Sequence, residues 1–162
     1  MSTPDSKSTV RLDLAAVPVQ RGSRYPAPYD AACRDREFQR LGAAAGLTRL
    51  GVSRVRLPPG AWSSQRHWHT EEDEFLVMLE GELVLVTDAG EELVRAGDHV
   101  GFKCGTRDGH CLQNRSQRDA VFLAISNCSE GDSGEYPDID LKFSAGRYSG
   151  KGGYLHKDGT RY

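Results

Sequence analysis

From Leu47 onward the chain runs in short apolar stretches broken by turn-forming residues about every 8 to 12 positions, the spacing of an all-β sandwich or barrel. The segment LTRLGVSRVRL ends at PPG, the run from Glu74 to Leu79 turns at Glu80-Gly81, and ELVLVT turns at DAG. EELVRA then meets Gly97-Asp98, HVGFK leads into CGTRDG, and HCLQN and AVFLAISN flank RSQR. This pattern predicts about seven strands and no long amphipathic helix. Hairpin-length connections make the strands mainly antiparallel.

The flanks read differently. Residues 1–9, MSTPDSKST, are Ser/Thr-rich with a proline and predict a disordered tail. Residues 10–30 hold one short apolar segment and then RYPAPYD, whose prolines favour an extended arm. Between Asp30 and Gly46 a short helix and a strand through Phe38 to Leu41 are equally defensible. Beyond Asn127 the chain turns rich in Gly, Asp, Ser and Tyr, with apolar residues too few for a second core but enough to strap an extended tail down. The expected organisation is an arm over 1–46, a barrel over 47–128 and a tail over 129–162 that packs on the barrel or on a partner. FLVMLEGELVLV is apolar on both strand faces, so its outer face needs cover, and a homodimer is expected.

Composition narrows the function classes. In 162 residues, 21 basic and 23 acidic side chains give a net charge of -2, with no basic block to meet nucleic acid or an anionic membrane. Arg11 and Asp13 interrupt the early apolar segment, and no run approaches the roughly 20 apolar residues of a membrane span, so a soluble cytoplasmic protein is expected. Cys33, Cys104, Cys111 and Cys128 form no C-x-x-C pair and are expected as free, buried small apolar residues.

The candidate chemistry begins at RHWHTEEDEF, residues 66–75. Alternate residues of a strand share a face about 7 Å apart, so His67 and His69 can aim at one point. A point shared by two imidazoles suggests a metal. Glu74 lies an odd step beyond His69, so TEED is read as a solvated turn that resets the parity and lets Glu74 point back to the same spot. His110, opening the strand in GHCLQN, completes three histidines and a carboxylate, a donor set suited to Zn, Fe(II), Mn or Ni.

These residues resemble the cupin superfamily. Its first motif is matched by Gly60, His67, His69, Glu74 and Gly81, and its second by Gly97, Gly105, His110 and Asn114, with Lys103 where a proline is usual. The resemblance implies an antiparallel cupin barrel, a double-stranded β-helix or jelly roll. It also implies one divalent transition metal ion held by His67, His69, Glu74 and His110. LPPGAWSSQRHWHTEEDEF and the tail YPDIDLKF…YLHKDGTRY are similar to small bacterial cupins labelled as candidate sugar phosphate isomerases. A metal-dependent isomerase acting on a sugar phosphate is therefore expected, with an Fe(II)-dependent dioxygenase and a non-enzymatic small-molecule-binding cupin as alternatives.

Other residues have plainer readings. His99 and His156 are expected as ordinary strand histidines, His99 being the substitute ligand if His110 is misaligned. Trp62 and Trp68 are expected to pack, Trp68 facing out of the barrel and needing cover. Arg66, Lys103 and Arg107 could hold an anion at the mouth. No general base is identified, Glu72, Asp73 and His99 being candidates by sequence proximity alone.

Overall fold

The structure, a computed structural model, describes residues 11–162, so the segment expected to be disordered over 1–9 lies outside the described residues. Three antiparallel sheets make up the body. The largest has six strands, in the order β1 (Gln20–Arg21), β2 (Glu37–Arg40), β3 (Leu50–Leu57), β10 (Ala120–Asn127), β5 (Glu74–Glu80) and β8 (His99–Phe102). The second runs β7 (Gly90–Arg95), β6 (Glu82–Thr87), β9 (Cys111–Gln113). The third runs β13 (Tyr154–Leu155), β12 (Leu141–Phe143), β11 (Gly134–Tyr136), β4 (Trp68–His69).

Period-two alternation decides which side chains enter. On β3, Val55 and Leu57 are buried, while Arg56 on the other face pairs with Glu37 at 2.7 Å and Asp119 at 2.9 Å. On β5, Leu76 and Met78 turn inward, and Phe75 and Leu79 are left 44% and 41% exposed. The inward residues of β3, β5 and β10 pack against Leu83 and Leu85 of β6, Val94 of β7 and Leu112 of β9, so the six-stranded and three-stranded sheets share one core. The β5–β6 turn requires glycine: Gly81 has φ +73°, and a Cβ there would lie 2.6 Å from the Asp119 carbonyl oxygen.

The ambiguous segment after Asp30 contains both candidates. Glu37–Arg40 pairs with β3, and a single helical turn, α1 (Leu41–Ala44), follows. The arm is bonded down: Gln39 Nε2 donates to the Leu14 and Val17 carbonyls at 2.9 Å each, and Trp62 N–H donates to the Ala32 carbonyl at 2.9 Å. The tail adds β11, β12 and β13 beside β4, with Tyr136, Leu141 and Phe143 as a smaller core against Tyr25 and Tyr154. All four cysteines are free, but only Cys33 and Cys111 are buried, which corrects the expectation for Cys104 and Cys128. Among the described residues no helix is long and apolar enough to cross a membrane.

Candidate metal centre

Backbone pairing brings the candidate ligands together. His67 and His110 exchange backbone hydrogen bonds, His67 N–H to the His110 carbonyl at 3.2 Å and the reverse at 2.9 Å. His69 sits on β4 opposite Gly134 of β11. The chain then leaves the sheet for residues 70–73 and re-enters at Glu74, which opens β5 between Ser126 and Phe102. That excursion moves Glu74 onto the same interior face. Glu74 Oε2 lies 2.7 Å from His110 Nε2, 3.6 Å from His69 Nε2 and 3.9 Å from His67 Nε2.

The far side of two rings fixes which nitrogen looks inward. His67 Nδ1 is 2.9 Å from the Gln65 carbonyl, and His69 Nδ1 is 2.6 Å from Asp132 Oδ2. Each Nδ1–H donates there, leaving the Nε2 lone pairs aimed at the cluster. His69 Nε2 is buried with no hydrogen-bond partner. An acceptor nitrogen so placed costs free energy unless something fills the space before it. His67, His69 and Glu74 form one cluster of mutually close donor atoms, and His110 reaches it through Glu74, a donor set that fits a divalent transition metal ion.

The electrostatics agree with that geometry. Burial, reinforced by the neighbouring His110 and His69 rings, pushes the His67 imidazole down to about 3, so it stays neutral. Burial alone would raise the Glu74 carboxyl, but the hydrogen bond with His110 and the adjacent His67 and His69 hold it well below the usual carboxylate range. Burial also opposes charging of His69, yet the hydrogen bond to Asp132 and the charge of Glu74 outweigh it and raise that ring.

A cavity of about 270 Å³ reaches two of the four candidate ligands, His69 and His110, and is bordered also by Trp68, Glu72, Phe102, Lys103 and Asp108. Phe102 stacks on His110 with ring centroids 3.5 Å apart. Two expectations need correction here. Glu72 is not a solvated turn residue: it is 1% exposed, with Oε1 accepting from Ser129 N–H at 3.0 Å and Tyr148 O–H at 2.7 Å, and Oε2 from Arg147. Arg66 is committed to Asp138 through bonds of 2.8 and 2.7 Å and also to Asp88. Arg107 lies over the Trp68 ring, 5.5 Å from its centroid, giving the partly buried Trp68 its cover. Of the three basic residues considered for an anion, Lys103 borders the cavity.

Two histidines lie elsewhere. His99 is exposed beside Phe75 on the outer sheet face, and His156 bonds Asp140 at 2.7 Å and stacks on Tyr162. Asn114 of the second motif is a turn residue, its Nδ2 donating to the Leu57 and Arg118 carbonyls at 2.7 Å each. Of the three candidate bases, Glu72 borders the cavity, whereas the Asp73 carboxylate accepts from Cys104 N–H at 2.8 Å and His99 is on the outside.

Residues 53–126 match the Cupin domain family. A sugar phosphate isomerase of the cupin superfamily from Silicibacter pomeroyi superposes with TM-score 0.89 and 40% identity, over 94% of this chain and 96% of that one. The chain belongs to the cupin superfamily. Strands β3 to β10 fall within the matched residues, apart from the ends of β3 and β10. A candidate sugar phosphate isomerase from Acidithiobacillus ferrooxidans is 26% identical, with TM-score 0.71 over 79% of this cupin and 80% of that chain. The polyketide cyclase RemF from Streptomyces resistomycificus shares the fold at 20% identity and TM-score 0.62, covering 75% and 80%. No curated protein matches this cupin in sequence.

Sequence reasoning missed Asp132, Arg147, Tyr148 and Phe102. The first three lie in the tail, which local pattern marks only as extended and polar. Nothing in their spacing points at His69 or Glu72. Phe102 reads as an ordinary inward strand residue, and only its registry with Glu74 puts it against His110.

Proposed function

We propose that this cupin is a metal-dependent isomerase acting on a sugar phosphate, with His67, His69, Glu74 and His110 as the protein ligands of one divalent transition metal ion. The observation that carries the reading is the gathering of three imidazole Nε2 atoms around Glu74 Oε2, two of whose rings, His69 and His110, border a cavity. The name of the Silicibacter relative, similar over nearly the whole chain, supports the substrate class. The bound ion would supply Lewis acidity toward a sugar carbonyl.

The protein's own groups do the rest. Asp132 and the Gln65 carbonyl hold His69 and His67 in the tautomer that presents Nε2. Phe102 and Trp68 give the cavity an apolar side facing Lys103, Thr106 and Asp108. Lys103 at the border offers a cation for a phosphate. Glu72 places a second, buried carboxylate on the same wall, outside the ligand set.

The protein is also proposed to act as a cytoplasmic homodimer that covers Phe75 and Leu79. Exposure of these two residues on one strand face is the support, together with the exposed Leu50 on the same sheet.

The test is elemental analysis of protein purified without a chelating tag, followed by metal-replete assays in deuterated water with a panel of aldose and ketose phosphates. Metal-dependent exchange of the proton beside the carbonyl is expected. Absence of exchange together with oxygen consumption on another organic substrate in Fe(II)-loaded protein would establish a dioxygenase instead. Absence of both, with tight binding of a metabolite, would establish a binding module.

A further inference from the structure

We infer that Asp132, supplied by the C-terminal tail, is the positioning residue that decides which nitrogen of His69 faces the cavity. This inference rests on the metal-centre reading above and extends it to a part of the chain outside both cupin motifs. Asp132 is fully buried and its two oxygens divide their work. Oδ1 accepts the backbone N–H groups of Glu71 at 3.0 Å and Glu72 at 3.2 Å, which fixes the loop between His69 and Glu74. Oδ2 accepts from His69 Nδ1 at 2.6 Å, and the opposite nitrogen, Nε2, is the buried atom left without a partner. A carboxylate has no proton to give, so the proton of this bond belongs to His69 Nδ1 and, in the neutral ring, the lone pair belongs to Nε2.

Asp132 is itself held as an anion. The Arg147 guanidinium lies 4.0 Å from Oδ2 and bonds Glu72, whose other oxygen takes the Tyr148 hydroxyl. His69, Glu72 and Asp132 are close enough to suggest a second cation site, but this guanidinium already supplies the positive charge there. The acidic cluster therefore supports the ligand His69 from behind. A carboxylate behind an imidazole also makes the ligating nitrogen more basic.

Asp132→Asn separates this role from a merely structural one. The amide keeps one oxygen for the Glu71 and Glu72 N–H groups but turns an NH2 toward His69, so Nδ1 must accept and the proton moves to Nε2. Binding of Zn(II) alone, measured by competition with a chromophoric chelator, is expected to weaken 10- to 100-fold in the variant. The visible spectrum of the Co(II) form is expected to change with it. Tight binding of Zn(II) by both proteins with an unchanged Co(II) spectrum would overturn the inference while leaving the centre standing. Failure of the wild type to bind Zn(II) would instead overturn the reading beneath it. Imidazole 15N spectra of the metal-free wild type, taken at alkaline pH where the ring is neutral, give an answer even if the variant does not fold. His69 is expected as the Nδ1–H tautomer, and an Nε2–H tautomer there would sink the proposal.

Discussion

The rings of Phe102 and His110 lie 3.5 Å apart at the centroids and within 5° of parallel. Because β8 pairs with β5 at Phe102 and Glu74, the same registry that delivers the carboxylate delivers the plate on which the imidazole rests. Phe102→Ala should free the His110 ring and cost roughly 1–3 kcal/mol, below a fully buried phenylalanine because Phe102 is only partly buried. Zn(II) affinity should fall several-fold, and Phe102→Leu should keep stability while losing the flat contact. Paired denaturation and metal titrations would check this, equal affinities in all three proteins being the contrary result.

Removing both histidines of the H-x-H pair should abolish stoichiometric metal. His67→Ala together with His69→Ala leaves one imidazole and one carboxylate, and water replaces the lost donors weakly. Elemental analysis of the purified variant reads this directly. Full occupancy would exclude these residues as ligands.

Glycine at 134 is required by the approach of the tail to β4. A Cβ there would lie 2.0 Å from the Trp68 carbonyl oxygen and 2.6 Å from the Phe143 ring. Gly134→Ala should cost about 3 kcal/mol, the upper end for overpacking, and loosen the tail. Faster proteolysis between residues 128 and 162, with the barrel fragment surviving, is the expected readout.

Acid should weaken the clamp between Arg66 and Asp138. Hydrogen bonding to Arg66 holds the Asp138 carboxyl below its ordinary value. A depressed carboxyl contributes stability above its unfolded pKa, near 4, and loses it as pH falls through the lower folded value. Asp138 is more than half exposed, so the loss should be at most about 1 kcal/mol. Denaturant unfolding at pH 5 and pH 3 should show a smaller loss in Asp138→Asn than in wild type, and identical losses would refute the assignment.

The outer face of β5 gives the assembly prediction. Phe75→Lys together with Leu79→Lys, on the strand face opposite the inward Leu76 and Met78, should convert a dimer to a monomer without changing Zn(II) affinity. Sedimentation at micromolar concentration checks it. A wild type that is already monomeric would remove the dimer.

Alternation and turn residues sufficed to place β3 and β5 to β10, because each is a local run bounded by turn residues. The spacing of His67, His69 and Glu74 likewise declared a shared target, since strand geometry leaves two alternate residues on one side and the TEED break corrects the third. His110 is marked by its place at the start of the strand in GHCLQN and by the likeness to cupin motifs, without any spacing that ties it to His67. Its backbone exchange with His67 and its place against Glu74 depend on how β9 and the loop before it close on the barrel. The burial of Glu72 was illegible, as four polar residues in a row look like a surface turn until Ser129, Arg147 and Tyr148 arrive from the far end of the chain. Asp132 was illegible for the same reason. It meets His69 across 63 residues of sequence, and no periodicity reports a contact made by an irregular tail folding back. Arg66 shows the reverse case: its charge was visible, but only the tertiary structure could reveal that Asp88 and Asp138 had already taken it. Local pattern thus determined the strands and the target of the ligands, while long-range packing decided which charged groups are buried, paired and turned toward the cavity.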